Sequence, residues 1–171
     1  HGRTREQGYK GFAEYDTIAA VKAALRIPVV ANGDIDSPRK ALAVLRATGA
    51  DALMVGRAAQ GRPWIFREIA HHLETGGLLA PPATRDVARW LTQHLHDHYG
   101  LYGEELGVRT ARKHIGWAVH GLPGGPEFRA VMNTHADCRT QMAGVMDYFE
   151  RLADRFALWP AANEGRIMRE A

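Results

Sequence analysis

The sequence predicts an α/β segment followed by an all-helical one. Three observations carry this reading. Two short apolar runs, 27–31 and 52–55, alternate with helix-periodic stretches over residues 16–75. Each run closes on a glycine-bearing polar turn, Asn32-Gly33-Asp34 after the first and Gly56-Arg57 after the second. From Thr84 onward the apolar residues recur only at three- and four-residue steps, with no strand-like run.

Taken in order, Asp16 is placed to cap a first helix on which Ile18, Val21 and Leu25 share a stripe. The run Ile27-Pro28-Val29-Val30-Ala31 follows, and then Ser37-Pro38 reads as the N-cap and first position of a second helix. Leu42 and Leu45 give that helix its stripe and Gly49 ends it. Continuous apolar runs such as Ala52-Leu53-Met54-Val55 suit strands buried on both faces of a parallel sheet. Gly61-Arg62-Pro63-Trp64 interrupts the pattern, and a helix with Ile65, Ile69 and Leu73 runs to Gly76-Gly77. Pro81-Pro82 reads as a stiff linker.

Thr84 is expected to cap a helix carrying Val87, Leu91 and Leu95, and a second helix carries Val108, Ala111, Ile115 and Val119. Pro123-Gly124-Gly125-Pro126 makes a turn before a short helix around Phe128 and Met132. The last helix places Cys138, Met142, Val145, Phe149, Leu152 and Phe156 on one stripe. These elements predict a small antiparallel helical bundle, followed after Trp159-Pro160 by a frayed tail.

Composition bounds the rest. The chain has 171 residues, 46% hydrophobic and 24% charged, an ordinary globular balance that argues against disordered and collagen-like classes. No apolar run reaches the length of a membrane span. A single cysteine, Cys138, excludes an internal disulfide framework. With no secretory signal at the start, this fits a reducing, cytoplasmic setting. Net charge is only +3, and residues 84–157 are neutral with nine charges of each sign, so any RNA contact must come from local patches.

Three polar clusters are candidates for chemistry: His1-Gly2-Arg3-Thr4-Arg5, Asn32-Gly33-Asp34 and Gly56-Arg57. In parallel α/β folds ligands bind where the loops after the strands converge. Glycine lets a phosphate approach the backbone N–H groups, and a neighbouring arginine adds a charged fork. In the second half, Arg109, Arg112 and Lys113 fall near one helix face, continued by Gly116 and His120. That face is either solvated or in contact with RNA phosphates, and Trp117 beside it is either core or a base-stacking ring. His94 and His98 share a helix face while His96 points away, so only two ligands converge and no metal is expected. Asp34 and Asp51 fall at opposite strand ends and should not form an acid pair.

Four ordered motifs resemble one family. They are His1-Gly2-Arg3-Thr4, then Pro28 through Ile35, then Gly49 through Phe66, and Arg109-Thr110-Ala111-Arg112-Lys113-His114-Ile115-Gly116-Trp117. In order and spacing, over about residues 1–157, they resemble the bacterial tRNA-dihydrouridine synthases, B-type or NifR-like branch. The resemblance implies a β/α (TIM) barrel holding FMN, followed by a helical domain that grips tRNA. It implies NADPH as reductant and a D-loop uridine as substrate, swung out of the RNA stack to reach the flavin.

Carried onto this chain, the resemblance assigns residues 1–75 to the C-terminal part of the barrel and 76–83 to a linker. Residues 84–157 become the tRNA-binding domain and 158–171 a tail. It implies FMN contacts at His1, Asn32, Gly33, Asp34, Gly56 and Arg57, and RNA contacts at Arg3, Arg109, Arg112 and Lys113. The family's flavin-binding N-terminal loop, its lysine and its proton-donating cysteine would lie upstream of His1. Cys138 is expected instead as a small buried hydrophobe. The chain is therefore expected to be a fragment without a catalytic residue of its own, poorly stable alone, with the other barrel half in the full-length chain. Two alternatives stand beside this: another FMN- or phosphate-binding barrel oxidoreductase acting on a small molecule, or an RNA-binding module without catalysis.

Overall fold

A computed structural model of the chain describes residues 1–160, and the tail expected beyond Pro160 lies outside them. The described residues form two compact units, 1–79 and 80–160.

The first unit runs α1 (Asp16–Ala24), β1 (Val30–Asn32), α2 (Pro38–Thr48), β2 (Ala52–Met54), a 3-10 turn (Arg57–Ala59) and α3 (Ile65–Thr75). β1 and β2 pair in parallel, Val30 opposite Ala52 and Asn32 opposite Met54, with α2 in the connection between them. The capping chemistry read from the sequence is in place at α2. Ser37 Oγ accepts the Lys40 amide at 3.3 Å, Pro38 opens the helix, and Gly49 closes it with φ 63°. The core gathers Ile18, Ala31, Ile35, Ala41, Val44, Ile65 and Ile69.

Three expectations change. The N-cap of α1 is Tyr15, and Asp16 is the first helical residue. The carboxylate of Glu14 accepts the Thr17 amide at 3.0 Å and so does the capping expected of Asp16. On α2 it is Ala41, Val44 and Thr48 that face the core, while Leu42 and Leu45 are half-buried. Small residues let α2 lie close to its neighbours, so the leucines flank the contact rather than fill it. The strands are also not buried on both faces. Ala31 is fully buried, but Val30 is 49% exposed and Met54 57% exposed. In a strand alternate side chains face opposite ways, and one face of this two-stranded sheet is open among the described residues.

The second unit contains α4 (Thr84–Ala118), α5 (Gly125–Met132) and α6 (Cys138–Arg155). α4 is two helices in one continuous stretch, interrupted at Gly103, where φ is 72° and ψ −179°. Glycine takes this conformation without the Cβ clash any other residue would meet. The two arms, 84–102 and 104–118, correspond to the two helices expected from the periodicity. Leu91, Leu95, Ala111, Ile115 and Val119 from the arms meet Phe128 and Met132 of α5 and Val145, Phe149 and Leu152 of α6 in one core.

Thr84 is not an N-cap, since Ala83 holds that position. The Thr84 side chain is instead fully buried, and its hydroxyl donates to the Phe156 carbonyl at 2.6 Å. The Thr84 amide donates to Ala157 O at 3.0 Å, and the Trp159 amide to Pro82 O at 2.8 Å. Residues 82–84 and 156–159 therefore form a clasp, in which a tertiary hydrogen bond replaces the local cap. On α6, Cys138 is half-buried rather than core, and so are Met142 and Phe156. The fully buried Gln141 supplies the polar centre there. Its Nε2 donates to Val108 O at 3.3 Å, and its Oε1 accepts the Tyr99 hydroxyl at 2.7 Å. Among the described residues no helix is long and apolar enough to cross a membrane.

The burial pattern separates two substitutions. Phe149→Ala should cost about 3–5 kcal/mol by emptying the helical core. Val30→Ala should cost about 1 kcal/mol or less, because the side chain is already half in water. Denaturant unfolding of both variants checks this, and a core-sized loss at Val30 would mean that its face is covered.

Candidate functional site

The polar cluster of the first unit is built at the C-terminal ends of β1 and β2. The chain start lies against β1: the Gly2 amide donates to Asn32 O at 3.1 Å, and Gly2 O accepts the Glu14 amide at 2.8 Å. Gly2 is buried, and a Cβ there would collide with the Glu14 carbonyl, so only glycine permits this approach. Gly33 is also buried, and its carbonyl accepts the Tyr15 hydroxyl at 2.9 Å. The Asn32 amide group donates to Met54 O at 2.7 Å, tying the two strand ends together.

Arg3 and Asp34 form the centre of the cluster. Arg3 Nη1 and Nη2 reach the two Asp34 oxygens at 2.8 and 2.7 Å, a bidentate pair. Arg3 also donates from Nε to Lys10 O at 3.3 Å and from Nη2 to Gly11 O at 2.6 Å. The Ala13 amide donates to Asp34 Oδ2 at 2.8 Å. The Arg3 side chain is only 4% exposed, so it does not offer its charge to RNA as the sequence suggested. Asp34 adopts a positive φ of 47°, which aspartate tolerates better than most residues. Burial opposes its charge. The hydrogen bonds from Arg3 and Ala13, with the charges of Arg3 and Arg57, outweigh that and hold it below the usual carboxylate range.

Arg57 stands at the edge of this pair. Its Nη2 lies 3.5 Å from Asp34 Oδ1, its guanidinium sits 4.7 Å from the Tyr9 ring centroid, and its side chain is 48% exposed. It can therefore take a further anion. Gly56 before it is exposed, with nothing within 4 Å of where a Cβ would stand. His1 is exposed, and its Nδ1 accepts the Arg3 amide at 2.9 Å, so in the neutral ring Nε2 carries the hydrogen and donates. The structure thus brings Asn32, Gly33, Asp34 and Arg57 together around Arg3, with His1 linked through the Arg3 amide. Asp51 stands at the other end of β2, where it binds Lys22 Nζ at 2.7 Å. Tyr9, Ala13 and Tyr15 carry no signal in the sequence. An aromatic in a loop and a backbone amide acquire their roles only when the loop folds back.

In the second unit, Arg109 and Lys113 are exposed on the face opposite the buried Val108, Ala111 and Ile115. Arg112 turns inward instead: it is half-buried, and its Nη2 donates to His135 O at 3.1 Å. Trp117 is half-buried, with its ring edge-on to His114 at 5.3 Å. The histidines depart from the two-ligand expectation, because His114 from the second arm joins His94 and His98.

Comparison with known proteins gives a consistent result. The dihydrouridine synthase (Dus) family profile matches residues 1–153. The chain is 57% identical over 152 residues to a protein of Xanthomonas campestris pv. campestris named tRNA-dihydrouridine synthase B, covering 89% of this chain and 46% of that one. Proteins of the same name are 56% identical over 151 residues in Pseudomonas syringae pv. tomato (88% and 45% covered) and 52% over 153 residues in Klebsiella pneumoniae (90% and 48% covered). The chain therefore spans about half the length of these relatives.

The Arg3–Asp34 pair has a pH signature. Asp34 titrates lower in the folded chain than the ordinary aspartate value of about 3.9. Its contribution is therefore complete above that value and is lost as pH falls through the depressed one. Asp34→Asn should destabilise the first unit by about 3 kcal/mol at neutral pH, because it leaves the Arg3 charge buried and unpaired. The variant's stability should also fall less steeply in acid. Parallel denaturation curves at pH 7 and below pH 4 check both points.

Proposed function

The chain belongs to the dihydrouridine synthase family, and from that membership we propose that it serves the FMN-dependent reduction of D-loop uridines in tRNA to dihydrouridine, with NADPH as reductant. The observation that carries this reading is the extent of the family match. It runs over residues 1–153, through the strand-end cluster of the first unit and the cationic helix of the second. Residues 1–75 are read as part of the FMN-binding barrel, 76–83 as the linker and 84–157 as the tRNA-binding domain, in the cytoplasm.

The strand-end residues suit a flavin phosphate. Gly56 leaves open space for a ligand to approach the backbone. Arg57 supplies a half-exposed guanidinium that Asp34 orients without consuming. His1 offers a ring donor, and Asn32 and Gly33 hold the strand ends at fixed spacing. A bound flavin would supply the hydride transfer to the uridine. The residues of this chain position it, and they keep a fixed positive charge where the phosphate would stand. Cys138 is not read as the family's proton donor. It sits half-buried on α6 in the second unit, and burial, with the charges of Glu104 and Asp137, pushes its thiol up.

Arg109 and Lys113 are read as tRNA phosphate contacts, positioning the RNA without reading sequence. Arg112 is kept in this set on the family resemblance, with its Nη2 engaged by His135 O and its Nε buried. Arg3 leaves this set, since its guanidinium is buried on Asp34.

Two variants test the reading independently. Arg57→Ala should lower the flavin retained through purification, read as absorbance per mole of protein, with tRNA affinity unchanged. The double change Arg109→Ala and Lys113→Ala should weaken tRNA binding with flavin content intact. It should also make the salt slope of binding shallower, by about one for each cation removed from a phosphate. Full flavin retention in the first, or an unchanged salt slope in the second, would refute the corresponding assignment.

A further inference from the structure

The second unit carries a cluster that neither flavin nor phosphate binding accounts for. His94 and His98 lie one helical turn apart on the first arm of α4, and His114 comes from the second arm. One ring nitrogen from each lies within 4.8 Å of the other two. Ring centroids stand 4.7 Å apart for His94 and His114, 5.2 Å for His98 and His114, and 6.0 Å for His94 and His98. The break at Gly103 allows the third ring to reach the other two.

The surroundings suit metal ligands. Thr110 Oγ1 donates its hydrogen to Leu106 O at 2.7 Å and lies 2.7 Å from His98 Nε2. With the Thr110 hydrogen on Leu106 O, His98 would donate from Nε2–H in that contact and keep the Nδ1 lone pair for a metal. A hydrogen bond that fixes the tautomer in this way is the usual support of a metal-bound histidine. Burial, followed by the charge of His94, holds His98 below the usual histidine range. Burial, then His94, His98 and Lys113, does the same for His114. His94 is exposed, which leaves an opening for an ion and for water.

We propose that His94, His98 and His114 bind a divalent transition-metal ion of the zinc class, which staples the two arms of α4. Three imidazoles without a carboxylate favour zinc, nickel or copper over magnesium or calcium. A tetrahedral ion with bonds of 2.0–2.1 Å needs ligand atoms about 3.4 Å apart. The exposed His94 side chain can close the remaining distance by rotating, and water completes the fourth position. The competing reading is that the three rings only pack against one another, edge to face.

The test is a titration of the metal-stripped chain with Zn2+, and with Co2+ for its visible spectrum. The wild-type chain should take up one equivalent, show tetrahedral cobalt bands, and gain about 5 °C or more in Tm with zinc. His94→Ala changes an exposed side chain, so its fold is safe, and it should weaken binding at least about 100-fold, as should His114→Ala. Thr110→Val, which removes the support of His98, should weaken binding about 10-fold. His96→Ala, an exposed residue outside the cluster, should bind as the wild type does. Unchanged affinity in His94→Ala, or no stoichiometric uptake by the wild type, would overturn the site and leave the rings as aromatic packing.

Discussion

Arg3 and Asp34 face one another as two nearly buried charges, and the functional end of the first unit is organised around keeping them paired. Taking two ions out of water costs several kcal/mol each, and a pair recovers this only with good geometry and further hydrogen bonds. Both conditions are met. The contact is bidentate, and the remaining donors and acceptors are occupied by Lys10 O, Gly11 O and the Ala13 amide. The pair thereby fixes three pieces of chain at once: the first residues, the loop at 10–13 and the turn after β1. Arg57 leans toward the same carboxylate, its Nη2 3.5 Å from Asp34 Oδ1. Arg57 is oriented but not neutralised, and its half-exposed guanidinium can still take an anion.

The second unit solves a different problem. A stretch from Thr84 to Ala118 would be one long rod unless something reversed it, and Gly103 is where it breaks. Once the arms meet, the buried Gln141 bridges Tyr99 of one and Val108 of the other. That bridge is demanding, because a buried amide left half-satisfied costs more than an apolar replacement would. With Val108, Ala111 and Ile115 committed to the core, Arg109 and Lys113 must face water. The cationic ridge is thus a consequence of the packing. Arg112 lies between the two faces and is drawn to the His135 carbonyl, so position on a helical wheel alone overstates its freedom.

How much the sequence reveals follows from the range of the interactions. Ser37-Pro38 and Gly49 delimit α2 through hydrogen bonds within four residues, so their chemistry is local and readable. The stripes of Leu91, Leu95, Ile115, Val145 and Phe149 are readable because helical periodicity is local too. Thr84 misleads because its hydroxyl serves Phe156, 72 residues away. Arg3 misleads for the same reason, since its partner lies 31 residues on and nothing near it indicates burial. The histidines show the boundary most plainly. His94 and His98 are visible as a pair from spacing alone, whereas His114 joins them only when the chain reverses. The strand-end cluster is legible as a region from its glycines and charges. The division of labour within it, with one arginine structural and one available, requires the three-dimensional network.

The apolar runs pose a last question about that network. Their composition suits strands buried on both faces, yet Val30 and Met54 are about half exposed in the described residues. The contacts that present Arg57 are short-range and polar: Arg3 to Asp34, Asn32 to Met54 O, Tyr15 to Gly33 O. None of them passes through the Val30 side chain. Effects at sites without shared partners add nearly independently, so coverage of the sheet face should change the stability of the unit more than the geometry at Asp34. The half-exposed Arg57 is held by its own end of the sheet, and the apolar face contributes to the fold without ordering that end.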